Sequence, residues 1–347
     1  MTHNECECYR HKVFAAGQRF LAHGRKQIQK INQLKQINFS FGKKRRQITK
    51  RTCIYNIMSG LNTRSGQVSS TKHQHVRQLA CSTSDFRKID ITSLNVVYAD
   101  ASTSDEICMP FNLKDIIIPN EVYVSNLQGN IIRYAFDEPS TLEKLDRKSK
   151  TFANLMVDIM ENEGLVRGTE ESRTDSFVAH MLEKLEFGEY PLRIRLQPLF
   201  KFKVYTADIS SKYDFAVLKG NRIMLVDEDK HINNTSPSSA WGEYQLAGEL
   251  IAGAYCNYSH SKITKTIYND TLFAVRVIGL RFTFYNAKIT EEYLDSLGEG
   301  FPNCKIIIKR YPADGNNNNF SYLDYSDVDQ RNEIVNMLIR IRENILN

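Results

Sequence analysis

Asp214, Glu228 and Lys230 have the residue types and the spacing from which metal-assisted chemistry on a phosphate can be built. Asp214 heads a short apolar run, Glu228 follows fourteen residues later near the end of another, and Lys230 stands two further on. Positions i and i+2 of a strand share a face, so Glu228 and Lys230 are expected to point the same way. The dipeptide Gly220-Asn221 between the two runs makes a tight turn, which lays the strands side by side and brings Asp214 to Glu228. Two carboxylates so placed offer hard oxygen ligands to a divalent cation such as Mg²⁺. A lysine beside them orients or deprotonates a water and stabilises a phosphoryl group under attack. The same residues admit plainer readings. Asp214, after Ser210-Ser211, also suits a turn cap, and Glu228 with Lys230 also suits a surface ion pair of small worth. Asp227 and Asp229 alternate with Glu228 and would serve a D-x-D metal site instead. His180 and His231 suit core or surface roles, and Arg276, Arg281, Lys309 and Arg310 either line a phosphate track or are simply solvated.

The elements that must position these residues are read from hydrophobic periodicity. Phe177, Val178, Met181, Leu182 and Leu185 form a helix stripe within a segment running from about Thr169 to Gly188. Alternation predicts a strand over Leu192–Tyr205, a second over Tyr213–Leu218 and a third over Arg222–Lys230. A helix over Trp241–Tyr258 follows, with Leu246, Leu250 and Ala254 facing the core. Phe273–Tyr285 is then a strand pair or one long strand. The order is α-β-β-β-α-β, which predicts an α/β (α+β) domain with a mixed central sheet. Asp327–Leu346 is predicted as a closing helix, with Ile334, Leu338, Ile341 and Ile345 on one face. Upstream, Leu94–Tyr98, Ile116–Ile118, Val122–Val124 and Ile131–Phe136 read as strands, and Leu142–Glu163 as a helix stopped by Gly164.

An Asp, then Glu-x-Lys, on a core of this order resembles the PD-(D/E)XK nuclease superfamily. Here the motif is Asp214 with Glu228-Asp229-Lys230, and Tyr213 stands where the family usually has Pro. The resemblance covers about residues 168–347, a region that also looks like a set of fungal crinkler-like proteins. Its marks are Glu228-Asp229-Lys230-His231, Gly242-Glu243-Tyr244-Gln245-Leu246-Ala247, Val275-Arg276-Val277-Ile278-Gly279 leading to Phe282-Thr283-Phe284-Tyr285, and Arg340-Ile341-Arg342. It implies a restriction-endonuclease-like core and hydrolysis of DNA or RNA with Mg²⁺, or Mn²⁺ in its place. It implies metal ligands at Asp214 and Glu228, assisted by the backbone carbonyl of Asp229 and by Glu171 on the first core helix. It implies Lys230 as the catalytic lysine and Gln245, on the following helix, as the residue that orients Lys230 or the water. Four residues after that Gln some members carry Tyr; this chain has Glu249. The alternative is a nucleic-acid-binding or effector protein that keeps the fold without catalysis.

Charge divides the chain of 347 residues unevenly. Residues 1–80 hold 16 Lys and Arg against two acidic residues, which leaves 30 basic and 38 acidic residues for the remainder. The division predicts a basic arm and linker over 1–85, a small α+β extension over 86–165 and the nuclease-like domain over 166–347. Lys43-Lys44-Arg45-Arg46 attracts phosphates, with DNA the preferred partner, and resembles a nuclear localisation signal. Nuclear location is the expectation; cytoplasmic location, or export without a cleaved signal, are the alternatives. The first 25 residues lack the apolar stretch of a secretory signal, and no run approaches the ~18 apolar residues of a membrane span. The seven cysteines show no repeated spacing and are read as reduced thiols.

Overall fold

The computed structural model describes residues 79–137, 139–163, 170–230, 237–313 and 321–347. For a few of these, Asp227 to Lys230 among them, it describes the backbone alone. The described residues belong to one compact unit, and the elements below are its parts. The basic arm, including Lys43 to Arg46, lies outside the described residues, as does His231.

The elements are α1 (Lys88–Ser93), β1 (Val96–Asp100), α2 (Gly129–Asp137), α3 (Arg147–Glu163), α4 (Glu171–Lys184), β2 (Leu192–Leu196), β3 (Leu199–Val204), β4 (Ala207–Lys212), β5 (Phe215–Lys219) and β6 (Arg222–Lys230). There follow α5 (Glu243–Thr264), β7 (Thr271–Ile278), β8 (Arg281–Lys288), α6 (Glu291–Glu299), β9 (Ile306–Tyr311), β10 (Leu323–Asp324) and α7 (Val328–Leu346). Eight strands make a central sheet in the order β1-β9-β8-β7-β6-β5-β2, with β10 added beside β8. The sheet is mixed: β6 runs parallel to β7 and β1 to β9, and the other pairs are antiparallel. The strand β1 thus extends the sheet at one edge. The hairpin β3–β4 stands apart as a two-stranded sheet.

Each face of the sheet has its own core. On one side Phe177, Val178, Met181 and Leu182 of α4 meet Leu225, Val275, Phe282 and Leu338. On the other Leu246, Leu250 and Ala254 of α5 meet Ala216, Val226, Ala274 and the hairpin residue Phe202. A strand covered by helices on both faces must be apolar throughout, and β7 is buried from Leu272 to Ile278. Gly220 supplies the positive φ of 62° that the β5–β6 turn needs. The closing helix starts as its sequence predicts, the Asp327 side chain accepting from the Gln330 N–H at 3.0 Å.

Three expectations are corrected. Leu192–Tyr205 is not one strand: Pro198 has no N–H to give a ladder, Gln197 takes a left-handed φ of 48°, and the chain leaves the sheet there to form the hairpin. Ile131–Phe136 belongs to helix α2. Its apolar pairs at 131–132 and 135–136 fit a helical i, i+4 repeat as well as a strand, and so short a run does not separate the two. Ile116–Ile118 and Val122–Val124 are not strands; 3-10 turns at Leu113–Asp115 and Asn120–Asn126 bury Val122 and Val124 instead. Elsewhere Phe273–Tyr285 resolves into β7 and β8 around Gly279, and β4, β9 and α6 lie where no element is expected. Residues 79–85, expected to close the linker, lie against the hairpin, with Thr83 buried and the Ser210 N–H donating to the Cys81 carbonyl at 2.9 Å. Among the described residues no helix is long and apolar enough to cross a membrane.

Candidate functional site

Asp214 occupies a bend just before β5. Two hydrogen bonds hold the bend to the β2–β3 link: the Gln197 N–H donates to the Asp214 carbonyl at 2.8 Å, and the Tyr213 N–H to the Pro198 carbonyl at 3.2 Å. Tyr213 is fully buried, and its hydroxyl donates to the Glu249 carbonyl at 2.7 Å, which ties the bend to α5. The antiparallel β5–β6 ladder ends on the pair Phe215–Asp227. Continued by one residue, that register would set the backbone of Asp214 opposite that of Glu228. On its other side β6 pairs Glu228 with Arg276, Asp229 with Val277 and Lys230 with Ile278 of β7. The structure therefore brings the backbones of Asp214 and of Glu228-Asp229-Lys230 to one end of the sheet, where β6 and its parallel neighbour β7 both finish. Crevices at the carboxyl ends of parallel strands are the usual ligand sites of such sheets.

The two helices approach this end from opposite faces. Phe177 of α4 packs edge-on against Phe282, their ring centres 6.3 Å apart. Phe282 pairs with Val277, itself the register partner of Asp229. Glu171 lies six residues, or about 9 Å of helix, further toward the amino end of α4, so it stands toward the end where β6 finishes. Gln245 sits half-buried in the first turn of α5, and its amide Nε2 donates to Glu249 Oε1 at 2.9 Å. Glu249 is thus the residue that fixes Gln245.

A buried ionic network that sequence reasoning missed adjoins the site. Ala240, Trp241 and Gly242 lead into α5 with consecutive positive φ values of 48°, 54° and 89°. Such runs are costly outside glycine and persist where the surroundings hold them. Arg276, 1% exposed, holds this one by donating to the Trp241 carbonyl at 2.9 Å and the Ala240 carbonyl at 3.4 Å. The next residue, Glu243, is also buried. Its Oε1 accepts from Arg310 Nη1 at 2.9 Å and from the Tyr285 hydroxyl at 3.1 Å, and lies 3.8 Å from Arg276 Nη1. Arg310 also donates to Asp100 Oδ1, at 2.6 Å from Nη2. Burial would lower the pKa of Arg310, but Glu243 and Asp100 outweigh it and the net shift is upward, so the guanidinium stays charged. Burial, reinforced by Glu243, pushes the hydroxyls of Tyr98 and Tyr285 well above their ordinary value. Among the described residues the network joins two carboxylates and two guanidiniums, and an acid at a helix amino end also suits the helix dipole. The one sequence signal was the acid that follows Gly242 at the start of α5.

The other candidates fall out as follows. Arg276, Arg281, Lys309 and Arg310 are each paired with a carboxylate, Arg281 with Glu163 at 3.0 Å and Lys309 with Glu106 at 3.2 Å. His180 is partly buried with its ring 4.8 Å from that of Phe152, and burial together with Lys184 lowers its pKa. Among the described residues no three His, Cys, Asp or Glu side chains gather as a metal site; the side chains of Glu228 and Asp229 lie outside that description. No family model matches the chain, and no curated protein matches it.

Proposed function

We propose that the protein is a metal-dependent nuclease that hydrolyses phosphodiester bonds of DNA or RNA at the end of β5 and β6. The observation that carries this reading is the β5–β6 register, which leads Asp214 to Glu228 at the sheet end where α5 begins. The donor set suits a hard cation: two carboxylates and a backbone carbonyl, all oxygen. Asp214 and Glu228 hold Mg²⁺ or Mn²⁺, helped by the carbonyl of Asp229 and by Glu171. The bound ion supplies Lewis-acid polarisation of the phosphate and an activated water. Lys230 positions that water and offsets charge that builds on the phosphate. Gln245, steadied by Glu249, orients Lys230 or the water. The Lys43–Arg46 run adds salt-sensitive affinity and directs the protein to the nucleus.

The test is incubation with duplex DNA, single-stranded DNA and RNA in Mg²⁺, Mn²⁺ and EDTA. Wild type is expected to cut with the metals and not in EDTA. Asp214→Asn and Glu228→Gln should stop cleavage while leaving the fold intact, and in EDTA their melting temperatures should hold or rise, because clustered carboxylates repel. Lys230→Ala should lose about 10²–10³-fold in rate, the usual worth of one electrostatic stabiliser. If wild type cuts nothing, the enzyme reading fails and nucleic-acid binding without catalysis replaces it. Cleavage by Asp214→Asn at the wild-type rate would leave the enzyme standing and move its site elsewhere.

A further inference from the structure

Between Leu192 and Lys212 the chain carries five basic residues and one acid, although beyond residue 80 it holds 30 basic and 38 acidic residues in all. All five are exposed. Arg193 and Arg195 lie on β2, the last strand of the sheet. Lys201, Lys203 and Lys212 lie on the hairpin. There Lys201 pairs with Ser210, Lys203 with Asp208 and Leu199 with Lys212. The alternate residues Phe202, Val204 and Ile209 are buried in the core beneath α5, so the three lysines share the one outer face. Asp208 lies 3.7 Å from Lys203, but both side chains are more than 60% exposed, and such a pair is worth little. Arg193 donates to the neutral amide oxygen of Asn221 and keeps its charge uncompensated there. The foot of this face is the candidate site itself. Lys212 stands two residues before Asp214, and Gln197 at the start of the hairpin is hydrogen-bonded to Asp214.

We infer that the outer face of the β3–β4 hairpin, together with Arg193 and Arg195 of β2, is a track for a nucleic-acid phosphodiester backbone that leads to Asp214. The choice of partner rests on the nucleic-acid reading above, through continuity of the face with Asp214; the inference does not rest on hydrolysis. Charge complementarity supplies its affinity, because each phosphate neutralised by Lys or Arg releases condensed counterions.

The experiment is fluorescence anisotropy of the full chain in EDTA, with labelled duplex DNA, single-stranded DNA and RNA of equal length, over a series of salt concentrations. The test variant is Arg195→Ala/Lys201→Ala/Lys212→Ala. The control is Lys262→Ala/Lys265→Ala/Lys288→Ala, three exposed lysines at the other end of the sheet, where β7 begins. The test variant should weaken binding by about tenfold or more for at least one nucleic acid, and should lower the slope of log Kd against log salt by about two to three. The control should bind as wild type. The nucleic acid most affected identifies the strand form that the track takes. Equal losses in the two variants, or no loss in either, would overturn the track. Cleavage measured separately in Mg²⁺ keeps the two proposals apart. If wild type does not cut but the test variant loses binding, the nuclease reading falls and the track stands. If wild type cuts and the test variant binds normally, the outcome is reversed.

Discussion

Arg276 shows how far one side chain can be read. Its position in Val275-Arg276-Val277 places it on a strand, but a basic residue there is equally a solvated edge or a phosphate contact. In the fold it is buried, holds the left-handed run Ala240–Gly242 and stands 3.8 Å from Glu243. Removing one partner of a buried pair typically costs about 3–5 kcal/mol, because a charge is left desolvated. Glu243 keeps Arg310 and Tyr285, so the cost here belongs at the lower end. Arg276→Met is therefore expected to lose about 3 kcal/mol in urea unfolding, whereas Arg310→Met should lose at least as much, since Arg310 bridges both Glu243 and Asp100. Stability within 0.5 kcal/mol of wild type, about the range of ordinary surface substitutions, would show that the network is not held as described.

Among the elements, α5 is closely packed on residues 79–86, and Gly248 tests that packing. A Cβ on Gly248 would lie 2.5 Å from the Thr83 methyl and 2.8 Å from the Phe86 ring. Alanine in place of glycine favours a helix by roughly 1 kcal/mol, but overpacking of this kind costs about 1–3 kcal/mol. At contacts this short packing wins, so Gly248→Ala should destabilise by up to about 2 kcal/mol and loosen residues 79–86. Gly298 in α6 has nothing within 4 Å, so Gly298→Ala should stabilise by about 0.5–1 kcal/mol. Thermal melts of the two variants should shift in opposite directions; shifts of the same sign would contradict the packing of 79–86 on α5. Helix and strand types were legible wherever the period was long, as in α4 and α7. They were not legible at Ile131–Phe136, too short to choose between periods, nor at the hairpin, where Pro198 ends one strand and begins the departure of the next.

At the scale of the whole molecule, buried tyrosines govern its response to alkali. Burial raises Tyr98, Tyr213, Tyr285 and Tyr293 well above the ordinary value near 10.0. Above that value the unfolded chain releases these protons while the folded chain keeps them. The stability they contribute is therefore fully present below pH 10 and is lost as pH rises, by about 1.4 kcal/mol per group for each further pH unit. Four groups together rival the total stability of an ordinary domain within one or two pH units. Cooperative unfolding is expected between about pH 10 and 12, with the loss of circular dichroism coinciding with a late rise in tyrosinate absorbance. Titration of all 17 tyrosines near pH 10 without unfolding would refute it. By itself the sequence determined the mixed α/β class, the helix stripes of α4 and α7, and the adjacency of the Asp214 and Glu228 strands, because a two-residue turn folds the second strand back beside the first. Only the tertiary structure decided which charges meet. Glu243 finds Tyr285 and Arg310, 42 and 67 positions away, and the lysines of β3 and β4 share a face with nothing acidic but Asp208. The physical reason is range: propensity and periodicity act over a few residues, whereas the partner of a buried charge is set by which strands the whole chain can bury side by side.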